Sequence, residues 1–184
     1  MTTRREAISF LTLGAAGASM PGGVYAAGKK SPSRFRYCLN TSTISRNSTG
    51  IESHLEIASG AGYDGVEIWV RDLSAYLESG KSLGALHRKL ENLGLKVESA
   101  IGFSPWLAEG EAGFRQMKKE MQMLAELGCR RIAAPPAGLD GSVPIDFLVA
   151  GVTYRRLLDL GRETGVMPQL EFWGASPVLY HFAQ

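Results

Sequence analysis

Four glycines, Gly62, Gly94, Gly128 and Gly165, recur along this chain at separations of 32, 34 and 37 residues. Each follows an amphipathic stretch and precedes an apolar one. A glycine in that place ends a helix by taking the left-handed conformation other residues avoid, and the apolar run beyond it starts a strand. The spacing suits one strand, one helix and two loops per unit. Units of this kind imply parallel strands with helices outside the sheet.

Strands are expected at Phe35 to Asn40, Gly65 to Val70, Leu95 to Gly102, Arg131 to Pro135 and Val166 to Trp173. Helices are expected at Ile51 to Ala61, Leu83 to Leu93, Glu111 to Leu127 and Ile145 to Thr164. Leu83, Leu86, Leu90 and Leu93, and then Phe114, Met117, Met121 and Leu124, recur at helical intervals, which makes them and Met123 core packing. Ser176 to Gln184 reads as the start of a fifth helix, with Pro177 in its first turn. The fold class is therefore α/β, an incomplete eight-unit (β/α) barrel with about five strands and four complete helices. A closed barrel takes about 250 residues and rarely fewer than about 200. A five-stranded doubly wound sheet is the competing architecture. It would need a longer last helix, and Asn40-Thr41-Ser42-Thr43 stands where its glycine-rich phosphate turn would be.

The chain's 45% hydrophobic content can build a sizeable core, and its net charge of +2 gives no footprint for nucleic acid or an anionic membrane. Residues 1–26 read as an export signal. Arg4-Arg5 precedes an apolar and small run from Ala7 to Met20, then Pro21-Gly22-Gly23 and the small-residue pattern Val24-Tyr25-Ala26. This is similar to a twin-arginine signal, although Phe10 and Leu11 lie further from the arginine pair than usual. A permanent membrane span needs about 20 apolar residues, so cleavage after Ala26 and a periplasmic location are expected, with a cytoplasmic one as the alternative. Residues 27–33 then serve as a linker and 34–184 as the folded domain. Cys38 and Cys129 fall on non-adjacent strands and are expected to stay unpaired.

The last strand carries the residue of most interest. In Gly165 to Gly174, alternation puts Gln169, Glu171 and Trp173 on one face and Leu170 and Phe172 on the other, with the polar set inward and the apolar set under a helix. Strand carboxyl ends form the working rim of a parallel barrel, so Glu171 stands where chemistry is done. An ordinary solvated rim glutamate is the other reading. By the same parity Glu67 and Trp69 face inward, where Trp69 can cover a C–H face and Glu67 can take a substrate hydroxyl or orient its neighbours. Phe103 and Trp173 are similar cases. Trp106 either caps the pocket or anchors its own loop, and His54 and His87 are expected to be solvated on helices.

Gly62-Tyr63-Asp64-Gly65-Val66-Glu67-Ile68-Trp69, Pro135-Pro136 and Leu170-Glu171-Phe172-Trp173 together resemble the xylose isomerase-like TIM-barrel superfamily, the sugar phosphate isomerase/epimerase group. The resemblance covers about Arg34 to Gly174. It implies a divalent metal at the rim, Mn²⁺ or Mg²⁺ or alternatively Zn²⁺, held by Glu, Asp, His and Glu, of which Glu171 matches the first. The other three would come from later strands, and His181, beyond Glu171 in the expected helix, is a poor substitute. The implied activity is proton transfer between carbons of a sugar or sugar derivative through an enediolate, with Glu171 as ligand and proton acceptor and Glu67, Trp69 and Trp173 binding substrate. Ketose epimerases of that group usually carry Pro, Asn and a second Glu where this chain has Phe172, Gly174 and Pro177. Two other readings stand beside it: a noncatalytic truncated barrel that binds carbohydrate or is vestigial, and a metal phosphodiesterase of the same superfamily. The open sheet edges at Phe35 to Asn40 and Val166 to Trp173 are expected to drive self-association.

Overall fold

The computed structural model describes residues 35–46, 50–142, 144–172, 174 and 176–179. The expected signal and linker, together with Arg34, Trp173 and His181, lie outside the described residues. Five strands, β1 (Cys38–Asn40), β2 (Gly65–Trp69), β3 (Lys96–Ile101), β4 (Arg131–Ala134) and β5 (Met167–Leu170), form one parallel sheet in chain order. The helices are α1 (Ile51–Gly60), α2 (Val70–Glu78), α3 (Leu83–Asn92), α4 (Gly110–Glu126) and α5 (Phe147–Thr164). The strand order decides between the two expected architectures. A doubly wound sheet reverses direction at a switch point, whereas these strands add in one direction only, as along the wall of a barrel.

The four recurring glycines end helices as expected, each with a positive φ: 85° at Gly62, 66° at Gly94, 72° at Gly128 and 77° at Gly165. Helix starts are marked by side chains in two cases. Ser82 Oγ accepts from the amide of Ala85 at 3.2 Å ahead of α3, and Asp146 accepts from Leu148 at 2.8 Å and Val149 at 3.2 Å ahead of α5.

The core lies between the sheet and its helices. Val66, Ile68, Ala100, Ile132, Ala134 and Val166 are fully buried in one cluster with Leu55, Leu73, Leu86, Met117, Met121, Leu124 and Leu157. Among the described residues no helix is long and apolar enough to cross a membrane.

Three expectations need correction. The strand expected to reach Val70 ends at Trp69, and α2 begins at once with no intervening loop. No turn residue separates the two, so the apolar run reads on as strand, yet Val70, Leu73 and Tyr76 are buried at helical spacing. Phe172 does not lie under a helix: β5 ends at Leu170 and Phe172 is 45% exposed. Ser176 to Leu179 are not helical, and the rest of the expected fifth helix lies outside the described residues.

The edge formed by β5 is not bare. Met167 and Glu171 donate their amides towards β4, to Arg130 O at 2.9 Å and Ala134 O at 3.5 Å, so the nitrogen of Pro168 points away from the sheet, where a proline is tolerated. On that outer side the hydroxyl of Tyr154, from α5, donates to Pro168 O at 3.0 Å and accepts from the amide of Leu170 at 2.9 Å. Part of the backbone expected to be open is therefore already paired. Tyr154→Phe should destabilise the fold by about 1–3 kcal/mol in urea denaturation and increase self-association in sedimentation velocity. An unchanged sedimentation profile would show that this edge does not govern association.

Candidate functional site

The carboxyl ends of β1 and β2 are tied together by one amide. Asn40 Oδ1 accepts from the backbone of Ser42 at 3.0 Å and from Trp69 Nε1 at 3.1 Å, while its Nδ2 donates to Glu67 Oε2 at 2.7 Å. Thr41, in the short 3₁₀ turn that follows β1, donates its hydroxyl to Glu67 O at 3.2 Å. Glu67 and Trp69 therefore sit in fixed orientations on the face away from the core, as parity requires. The Trp69 ring meets Phe103 at 5.5 Å between centroids with a 44° tilt, and the Arg71 guanidinium lies 4.6 Å from the Trp69 ring centre.

Glu171 follows immediately after β5 and is half-buried. Burial pushes its carboxyl above the ordinary carboxylate range, and the negative charge of Glu67 pushes it further. The charge of Glu67, on β2, thus acts on Glu171 just beyond β5. Of the expected site residues, Glu67, Trp69 and Glu171 thus share one rim, and Phe103 joins them through Trp69.

Trp106 does not reach that rim. It is 1% exposed and its indole donates to Pro135 O at 2.9 Å, so it anchors the loop after β3. His54 is not solvated either. It lies 2% exposed on α1, because it faces inward in the same turn as Ile51 and Leu55. His87 is partly exposed, with Nδ1 2.8 Å from Glu126 O. Cys38 and Cys129 are free thiols, as expected.

Glu120 is the residue that sequence reasoning passed over. It is 7% exposed on α4, takes a hydrogen bond from Gln116 Nε2 at 3.1 Å, and leaves Oε2 unpartnered. A Cβ on Gly102 would stand 2.7 Å from that oxygen, so the glycine makes room for the carboxyl at the end of β3. With Trp69, Arg71 and Phe103 it lines a cleft of about 220 Å³. Gly113, Met117, Glu120 and Leu124 are all buried at helical spacing, and that spacing was the available signal.

Metal ligation is only partly provided for. Among the described residues no three His, Cys, Asp or Glu side chains cluster closely enough to hold an ion. The rim offers two carboxylates, and one oxygen of Glu67 is already committed to Asn40. Glu171 is the free hard donor, and a cation beside it would relieve its repulsion from Glu67.

Two titrations follow. Glu67→Gln should bring the Glu171 midpoint down towards the ordinary range without reaching it, because burial, the larger cause, remains; ¹³C carboxyl spectra would read the shift. For Glu120, burial raises the folded-state pKa above the unfolded value near 4.5, so the folded chain binds more protons over that interval and stability falls as pH rises through it. Glu120→Gln should flatten that fall in urea denaturation compared at mildly acidic and neutral pH.

No protein-family model matches the chain, and no curated protein matches it. Solved structures do. The IOLI protein with a bound zinc atom is 21% identical, with a TM-score of 0.62 over 74% of this chain and 51% of its own. A xylose isomerase domain-containing protein from Salmonella typhimurium LT2 is 18% identical, with a TM-score of 0.64 over 73% of this chain and 48% of its own. D-psicose 3-epimerase in the presence of D-fructose is 13% identical, with a TM-score of 0.58 over 73% and 51%. The chain spans about half the length of these structures, and the fold it shares with them is that of part of a TIM barrel.

Proposed function

We propose that this chain carries the Glu171 portion of a metal-dependent sugar isomerase or epimerase site. The observation that carries the reading is the pair of rim carboxylates, with Glu171 held above its ordinary range by burial and by Glu67. A carboxylate of that kind keeps or accepts a proton closer to neutral pH than a solvated one, which suits exchange with a carbon next to a carbonyl. Glu67, pinned by Asn40, accepts a substrate hydroxyl, and Trp69 covers a C–H face of the sugar; Trp173 completes the proposed substrate contacts. Glu171 is also the proposed ligand of a divalent ion, Mn²⁺ or Mg²⁺, with Zn²⁺ as the alternative. When bound, such an ion polarises the carbonyl and hydroxyl oxygens of the substrate. The similar structures named as an isomerase-domain protein and an epimerase support a carbohydrate as the ligand class. An export route through residues 1–26 would place the chain in the periplasm.

The test is incorporation of solvent deuterium next to the ketone of D-fructose and D-psicose, with Mn²⁺ or Mg²⁺ supplied. A protein that joins this chain to strands supplying the other expected ligands should catalyse exchange, and Glu171→Gln should slow it by a factor on the order of 10² to 10⁴ while sugar binding survives. Binding without exchange in that protein would favour the noncatalytic carbohydrate-binding reading.

A further inference from the structure

We propose that a cleft between α1 and α2, on the helical side of the sheet, is a second ligand site that takes a neutral polyhydroxylated molecule of about monosaccharide size. The cleft measures about 530 Å³, within the range that small-molecule sites occupy and far larger than one water needs. Two of its lining groups lack partners. His54 is 2% exposed, and neither ring nitrogen has a hydrogen-bond partner among the described residues. Asp72, in the first turn of α2, accepts from Arg71 Nε at Oδ1, 2.9 Å away, but its Oδ2 is buried and unpartnered. Buried polar groups in a folded chain are normally paired, so two orphans in the walls of one cleft point to a partner supplied from outside.

The chemistry of the walls selects that partner. Lys81 pairs with Glu52 and Arg71 with Asp72, so the four charges lining the cleft cancel as two ion pairs and leave no net charge to attract an ion. What remains is an acceptor, Asp72 Oδ2, and an imidazole whose two ring nitrogens both lack partners. Neighbouring hydroxyls answer both needs, since each donates one hydrogen bond and accepts others. The site stands independently of the activity proposed for Glu171.

The chain has three histidines, which makes the imidazoles a clean reporter. Long-range ¹H–¹⁵N spectra of the ¹⁵N-histidine-labelled full chain would be recorded while D-glucose is added, with inorganic phosphate as the ionic probe. Saturable shifts are expected at His54 and not at His87, persisting in Glu171→Gln and at least tenfold weaker in affinity in Asp72→Asn. Loss of the shifts in Glu171→Gln would assign the sugar to the rim and overturn the proposal. So would phosphate binding at His54 as tightly as glucose, or a His54 signal that stays unmoved to saturating sugar. The wild-type titration decides even if Asp72→Asn folds poorly.

Discussion

The sheet must bury one face under its helices, and the rest of the molecule follows from that. Successive strand residues point to opposite faces, so committing Val66, Ile68, Ile132, Ala134 and Val166 to the core sends Glu67, Trp69, Ala133 and Gln169 the other way. Each fully buried aliphatic side chain contributes roughly 1.5–3 kcal/mol, and a one-residue slip of any strand would forfeit several at once. β3 shows how firmly the rule holds. Val97 and Ala100 are both buried although they stand three positions apart, which strict alternation would put on opposite faces, and a register shift opposite Val66 and Glu67 absorbs the extra residue. The bulge keeps the core sealed and keeps Ser99 opposite Glu67.

Once the face is set, electrostatics separates two carboxylates that sequence alone cannot rank. Glu67 gains a short hydrogen bond from Asn40, whose amide also holds Trp69 and the turn after β1. Among the described residues Glu171 has no such donor, and it suffers both burial and the charge of Glu67. The difference distinguishes the two groups: Glu67 is held by Asn40, and Glu171 is the carboxylate raised by burial and by its neighbour's charge.

What could be read from the sequence was whatever repeats or alternates. The glycine spacing gave the units, the leucine and methionine stripes gave α3 and α4, and parity put Glu67 and Trp69 on the working face. Residues whose role depends on a distant partner were hidden. Val70 looks like strand until α2 turns it onto the core; His54 looks like a surface residue until its turn of α1 is seen to face Ile51 and Leu55; Glu120 looks like a solvated charge until Gly102 opens space beneath it. Apolar pattern records burial only when the buried residues are apolar, and His54 and Glu120 are not.

Pro168 and Gly161 show how the site depends on groups on the far side of β5. A proline inside a strand weakens the ladder unless its nitrogen faces outward, and here Tyr154 from α5 takes up the carbonyl of Pro168 and the amide of Leu170 on that outer side. For the helix to come so near, it must lack a side chain at Gly161, where a Cβ would lie 2.5 Å from Pro168 Cδ. Gly161, Tyr154 and Pro168 therefore fix the strand that Glu171 directly follows. The position of Glu171 is thus set from the helical face, by Tyr154 and Gly161 of α5.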